Sequence, residues 1–238
     1  MRTIIETENL IKTFQNGKET SMILKQLNFS VKEGEFVSIM GPSGCGKSTL
    51  LYLLGGLDLP TSGSVKFNGE DLGKMKAKEL SKLRRRELGF VFQFYNLVPN
   101  LTVEENILLP ILLDGHKTKA YQKQLEEMLE IIGMSERAKY TPRELSGGQQ
   151  QRVAIARALL HNPKLILADE PIGNLDSKSG KEVMKLFGKI NREFGSTIIQ
   201  VTHSEESALY GSRILRMKDG KIISQEQVEE IKKDASFS

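Results

Sequence analysis

Gly41-Pro42-Ser43-Gly44-Cys45-Gly46-Lys47-Ser48-Thr49 fits G-x-x-x-x-G-K-[ST], and its flanks decide how it is read. Before it, Glu35-Phe36-Val37-Ser38-Ile39-Met40 is apolar and β-branched, as a strand is; after it, Leu50-Leu51-Tyr52-Leu53-Leu54 is a helical run. A strand, a glycine-rich turn and a helix make a phosphate-binding loop. Its glycines let several backbone N–H groups converge on an anion at the positive end of the helix dipole. Lys47 is placed to reach the β- and γ-phosphates, and the Ser48 hydroxyl to hold Mg²⁺. The expected ligand is a nucleoside triphosphate.

Working outward, 238 residues suit one α/β core with an inserted lobe. With 39% hydrophobic and 27% charged residues the composition is globular. The apolar runs are too short to cross a bilayer, and Met1-Arg2-Thr3-Ile4-Ile5-Glu6 lacks the apolar stretch of a signal peptide, so a cytoplasmic location is expected. A net charge of +4 is too mild to indicate a partner. The lone cysteine, Cys45, excludes an internal disulfide and a cysteine-cluster metal site. A helix N-terminus lowers thiol pKa, which allows a redox switch there, but a small side chain facing away from the nucleotide is the simpler reading.

Ahead of the loop, Ile4–Leu10 and Leu24–Val31 alternate as strands, and Thr13-Phe14-Gln15-Asn16-Gly17 places an aromatic before an Asn-Gly turn. Strand filling and stacking on adenine remain equal readings of Phe14 at this point. Gly63–Gly69 is a short strand closed by Asn-Gly. Met75–Glu87 is a basic helix in which Arg84-Arg85-Arg86, without interleaved aromatics, reads as a solvated face rather than a nucleic-acid contact. A buried-type strand, Leu88–Gln93, precedes three helices at Val103–Leu113, Tyr121–Ile132 and Gln149–Leu160. Continuous apolar strands return at Lys164–Ala168 and Ser196–Val201 around a helix from Gly180 to Phe194. An Asp-Gly hairpin spans Ile214–Ile223, and a polar helix with a frayed tail is expected from Gln225. The division expected is a nucleotide-binding core of 1–93 and 161–225, a helical lobe of 94–160 and a terminal helix and tail of 226–238.

Leu165-Ile166-Leu167-Ala168-Asp169-Glu170 ends a buried strand in two carboxylates. Asp169 fits the metal shell beside the phosphate loop, and Glu170 fits a base for water attacking the γ-phosphate. His203 follows the strand Thr197–Val201 at its carboxyl end, where ligands gather in open α/β sheets; a lone histidine is usually structural, but an imidazole placed there could bridge γ-phosphate and base. Leu145-Ser146-Gly147-Gly148-Gln149 opens a helix: Ser146 is a good N-cap, and the two glycines leave the first-turn amides uncovered. Two anion cradles with one phosphate loop suggest that the second serves a nucleotide held by another copy.

In this order, Gly41–Thr49, Gln93, Leu145–Gln149, Asp169-Glu170, Asn174-Leu175-Asp176 and His203 resemble the ATP-binding subunit of ABC transporters, across essentially the whole chain. Phrases such as Gly34–Gly44 and Leu145–Arg157 are most similar to the subgroup of macrolide exporters, lipoprotein-release ATPases, bacitracin-type resistance transporters and the cell-division ATPase. The resemblance implies a P-loop NTPase core, a RecA-like mixed sheet with an antiparallel N-terminal β subdomain, plus an inserted helical subdomain. It also implies a head-to-tail homodimer around two MgATP, each bound between one subunit's phosphate loop and the other's signature, Leu145–Gln149. Carried over, Phe14 stacks on adenine, Gln93 touches Mg²⁺ and the attacking water, Glu170 is the base, His203 the switch histidine and Asn174–Asp176 the signalling loop across the dimer.

The implied partner is a separately encoded membrane permease, gripped by Gln93–Thr102 and the helical lobe at the inner face of the membrane. No nucleic acid is expected. The implied work is export of an antimicrobial peptide, antibiotic or lipoprotein; the cell-division likeness offers instead an ATP-gated clamp that transmits force or signal without moving a solute. Four positions depart from the usual pattern: Phe14 for tyrosine, Ile172 for threonine or serine, Phe94 for a second glutamine and Ser204 for aspartate. None removes a catalytic group.

Overall fold

The computed structural model describes residues 2–17 and 19–235. β1 (Thr3–Asn16) and β2 (Glu19–Lys32) form a long antiparallel hairpin, longer than the two short strands expected, because pairing continues out to Asn16 opposite Glu19. β3 (Phe36–Met40) leads into α1 (Lys47–Leu54). β4 (Ser62–Phe67) returns to pair with β1 and turns through Asn68 and Gly69, both at positive φ, into the short β5 (Glu70–Asp71). Then come α2 (Ala77–Arg86), β6 (Leu88–Val91), α3 (Val103–Leu113), α4 (Gln122–Ile131) and α5 (Gly147–Leu159). The chain closes with β7 (Leu165–Asp169), α6 (Ser177–Phe194), β8 (Thr197–Thr202), α7 (Glu205–Ala208), β9 (Arg213–Lys218), β10 (Lys221–Gln227) and α8 (Val228–Ala235).

Two sheets result: a four-stranded antiparallel sheet, β2-β1-β4-β5, and a six-stranded sheet, β10-β9-β3-β8-β7-β6, parallel except for β10. This is the mixed α/β architecture expected, with an antiparallel N-terminal part and a helical insertion between β6 and β7. Both faces of the parallel sheet are buried, which is why its strands read as continuous apolar runs. Leu165 and Leu167 pack toward α1 and the N-terminal sheet; Ile166 and Ala168 pack toward the helices on the other face. α5 joins that second core through Val153, Ile155 and Ala156. It lies so close to β6 that a Cβ on Gly89 would come 2.5 Å from the Ala158 carbonyl oxygen, so this strand position requires glycine.

Several expectations need correction. Gln225–Gln227 extends β10 rather than starting a helix, since its backbone pairs with Arg213–Leu215 at the sheet edge; of the expected tail, 236–238 lies outside the described residues. α6 starts at Ser177, three residues before Gly180, because the Asp176 carboxylate accepts from the amides of Lys178 and Ser179 and caps it. Arg84-Arg85-Arg86 is a solvated face only in part: Arg86 is exposed, Arg84 and Arg85 are half-buried, and all three have partners. Arg84 donates to the Gly56 carbonyl, and Arg85 and Arg86 both pair with Asp114, at the C-terminus of α3, joined there by His116. Among the described residues no helix is long and apolar enough to cross a membrane.

The loop between β6 and α3 is organised by one buried amide. Asn106, fully buried on α3, accepts from the Val98 N–H at 2.8 Å and donates to the carbonyls of Val98, Leu101 and Thr102. Losing it orphans several backbone groups at once, at ~1–3 kcal/mol for each buried group left unpaired. Asn106→Ala is therefore expected to destabilise the fold by about 2–4 kcal/mol, read as a lowered urea midpoint at unchanged slope. A loss below about 1 kcal/mol would mean that other contacts hold the loop.

Candidate functional site

The register sets where the site lies. Met40 pairs with Thr202, Asp169 with Val201 and Val91 with Ala168, so β3, β8, β7 and β6 end nearly level. Gly41, Gln93, Glu170 and His203 follow those ends, at the carboxyl edge where open α/β sheets bind ligands.

At Gly41 a Cβ would sit 2.3 Å from the Met217 carbonyl oxygen, so only glycine lets the chain leave β3 past β9. Gly44 and Gly46 adopt φ of +78° and +101°, the left-handed region, and Gly46 is the N-cap of α1. The Lys47 ammonium donates to the carbonyls of Gly41 (2.8 Å) and Pro42 (3.1 Å). Cys45 is buried in the core against α1 and the N-terminal sheet, as the simpler reading required.

Asp169, 8% exposed, accepts hydrogen bonds from Ser48 Oγ at 2.9 Å and Tyr52 Oη at 3.1 Å. Both partners are neutral hydroxyls. A buried carboxylate without a paired charge is costly, so this one is suited to a cation. Hydroxyl and carboxylate oxygens are the hard donors that Mg²⁺ takes, usually with one or two carboxylates and the substrate's phosphates, so the donor set fits the metal expected. Burial, and then the charge of Asp169, push the Tyr52 phenol above its ordinary pKa and keep it a donor. Tyr52 was missed from sequence. It stands four residues after Ser48, on the same face of α1, and that spacing is the signal that could have found it.

Glu170 adopts φ +45°, which turns it out of line with β7; its amide donates to the Val201 carbonyl. Its Oε1 lies 3.1 Å from Nδ1 of His203, whose side chain is largely exposed. The segment after His203 is held by a buried network: the Gln200 amide donates to Ser38 Oγ and the Ser207 carbonyl, and Ser204, one of the departures, caps α7. Gln93 and Asn174 exchange hydrogen bonds of 3.1 Å in both directions, and a Cβ on Gly173 would come 2.8 Å from Gln93 Nε2. Phe14, Ser43, Gly44, Gly46, Lys47, Ser48, Thr49, Gln93, Glu170 and His203 thus line a single cleft of about 700 Å³, with Ile23 of β2, which sequence reading also missed. No periodic signal marks Ile23.

Leu145–Gln149 does not line that cleft. Ser146 caps α5 in a reciprocal box with Gln149: its amide donates to Gln149 Oε1, and its Oγ accepts from the Gln149 amide. The glycines also have a steric cause. A Cβ on Gly148 would meet Ser179 Cβ at 2.9 Å, and one on Gly147 would meet the Tyr95 hydroxyl at 2.7 Å. Tyr95 and Asn96, both at positive φ, are held by Arg157, which donates to their two carbonyls. Leu145 is buried, Leu175 is half-buried in the helical core, and Asp176 spends its carboxylate on the α6 cap; the Ser179 hydroxyl bonded to it holds its pKa below the ordinary range.

The family model described as ABC transporter matches residues 24–173. An uncharacterized ABC transporter ATP-binding protein of Methanocaldococcus jannaschii is 48% identical, with 92% of this chain and 98% of the relative covered. One of Thermotoga maritima is 47% identical, covering 93% and 94%. Among solved structures, the ATP-binding cassette MJ0796, a dimer bound to ADP and Pi, superposes with a TM-score of 0.87 at 44% identity, over 94% of this chain and 99% of that one. The cbiO1 protein of Clostridium perfringens, part of an ABC transporter complex, gives 0.88 at 30%, over 100% and 93%. With this fold and a nucleotide cleft at its carboxyl edge, the chain belongs to the ABC transporter family as an ATP-binding subunit, an ABC-type ATPase.

Proposed function

We propose that two copies close head-to-tail around two MgATP and drive a separate membrane permease of the exporter type, which moves an antimicrobial peptide, antibiotic or lipoprotein. The separation of the two anion cradles carries this reading: the cleft is lined by Lys47, Ser48, Gln93, Glu170 and His203, with Asp169 bonded to its Ser48, whereas the Ser146–Gly148 amides lie elsewhere on the same chain. A second copy supplies them. That a relative, the ATP-binding cassette MJ0796, is dimeric when bound to ADP and Pi supports this reading.

In this mechanism Phe14 stacks on the base, and the loop from Gly41 to Thr49 cradles the phosphates, with Lys47 leaving its carbonyl partners for the β- and γ-phosphates. Ser48, Asp169 and Gln93 hold Mg²⁺, which supplies charge neutralisation on the triphosphate. Glu170 accepts the proton of the attacking water, and His203, bonded to Glu170 Oε1, orients that carboxylate. Asn174 ties Gln93 to the Asn174–Asp176 loop, through which each subunit reports to the other.

The permease is read onto the surface beside this cleft. Phe94 is 72% exposed and Leu113 65%. Leu109, Pro110 and Leu113 line an open groove of about 540 Å³ with Phe90, Phe92 and Asn96. The apolar part of this groove, which Arg84, Arg85, Arg157 and His161 also line, supports docking of cytoplasmic helices of a membrane partner, with the chain at the inner face of the membrane.

Glu170→Gln is expected to slow turnover by about 10²–10⁴, roughly 3–5 kcal/mol of barrier, and to trap a dimer with MgATP. A variant that stays monomeric by light scattering would remove the sandwich. For the surface, Leu113→Asp is expected to abolish co-purification with the separately encoded permease. Undiminished capture of the permease by that variant would move the docking surface elsewhere.

A further inference from the structure

Phe14 lies on the outer part of the β1–β2 hairpin, 42% exposed and outside the buried clusters of the protein. An exposed phenylalanine rotates freely about two bonds, so as a stacking platform it needs something to hold it. Lys12, two residues earlier on the same face of β1, places its ammonium over the ring, 4.9 Å from the centroid.

That ammonium is itself fixed. It donates to Asp58 Oδ1 at 2.7 Å and to the Leu59 carbonyl at 2.8 Å, and the Lys12 side chain is only 12% exposed. Asp58 is further braced by the Leu59 amide. The loop that carries them is anchored on α1, since the amides of Leu57 and Asp58 both point to the Tyr52 carbonyl. Two more links join the same loop to β1: Thr61 donates its amide to the Ile11 carbonyl, and its hydroxyl accepts from the Thr13 amide. A chain of contacts thus runs from the Phe14 ring through Lys12 to the helix whose N-terminus forms the phosphate loop.

We propose that Lys12 is a positioning residue for the nucleotide: clamped by Asp58 and the Leu59 carbonyl, its ammonium covers one face of Phe14 and holds the ring as a platform for a purine base, at a set reach from the phosphate loop. The proposal rests on reading Phe14 as the base-stacking residue. A cation on one face has a second consequence. It draws π density toward itself and so lowers the negative potential that the other face presents to the π cloud of a purine. Lys12 lies outside the cleft that Phe14 lines, so it supports the ring without touching the phosphates.

The test uses the full chain with Lys12→Met, Lys12→Arg and Phe14→Ala, all with Mg²⁺. Calorimetry measures binding of ATP and, separately, of inorganic tripolyphosphate, which has no base to stack; steady-state kinetics follow. Lys12→Met is expected to weaken ATP binding roughly three- to thirtyfold and raise KM in parallel, while tripolyphosphate binding and turnover at saturating ATP hold. Lys12→Arg, which keeps a cation on the ring, should stay near the parent chain. If Lys12→Met changes ATP affinity less than twofold while Phe14→Ala weakens it, the platform stands and the proposal fails. If neither variant affects ATP, the platform reading itself is wrong. Equal loss of both ligands in Lys12→Met would make Lys12 a purely structural residue and overturn the proposal.

Discussion

The burial of α1 between the two sheets is the constraint on which the rest of the site depends. Leu50, Leu51, Leu53 and Leu54 are each almost wholly inaccessible, because the helix meets the parallel sheet on one side and the N-terminal sheet on the other. Each such leucine is worth about 1.5–3 kcal/mol of burial. An eight-residue helix would not persist alone in water, so its position is set by that packing and not by propensity. The phosphate cradle is the first turn of this helix and therefore takes its rigidity from the core beneath it. Ser48 and Tyr52 extend the same rigidity to Asp169, because a helix face fixed at one end fixes hydroxyls one turn apart.

How much of this was legible in sequence follows from how local each feature is. A phosphate loop must be contiguous, so its residues stand together. A strand buried on both faces must be apolar throughout, so Lys164–Ala168 and Ser196–Val201 announced themselves. α3 has the boundaries expected from its apolar run, and in the fold Thr102 and Glu105 form a capping box at its start. By contrast, β10 is an edge strand whose residues are exposed or half-exposed, so Gln225–Gln227 carries no burial pattern and its helix-like polarity misleads. Gly180 looked like the start of α6, yet it sits inside the helix, where a Cβ would make ordinary contact with Ile172. The partner of Arg85 and Arg86 lies 28 or 29 residues away, beyond any local pattern.

The candidate site divides along the same line. Lys47, Ser48, Asp169, Glu170 and His203 were legible because they sit in a motif or at strand ends, and the level register brings strand ends together. The supports of those groups were not. Tyr52 beneath Asp169, the Gln200 network beneath α7 and Asn106 beneath the loop after Gln93 are single polar residues in apolar surroundings, and only the folded neighbours give each its partner. Sequence therefore names the reacting groups more readily than the groups that hold them in place.

The glycines of the second cradle show why that difference matters. Read from sequence, Gly147 and Gly148 expose amides to an anion. In the fold they also permit contact: the Tyr95 hydroxyl stands where a Gly147 side chain would be, and Ser179 of α6 stands where one on Gly148 would be. Tyr95 belongs to the segment that begins at Gln93, Arg157 of α5 clamps that segment by its carbonyls, and Asp176, the cap of α6, binds the Ser179 hydroxyl. The loop at the chain's own cleft and the amides outside it are thus packed against one another, with no flexible linker between them. In a packed interior a displacement at one contact is passed on rather than absorbed. A displacement of the Gln93 segment is therefore passed through Tyr95 to Gly147, so the loop at the chain's own cleft is coupled to the start of α5 by residues that sequence did not single out.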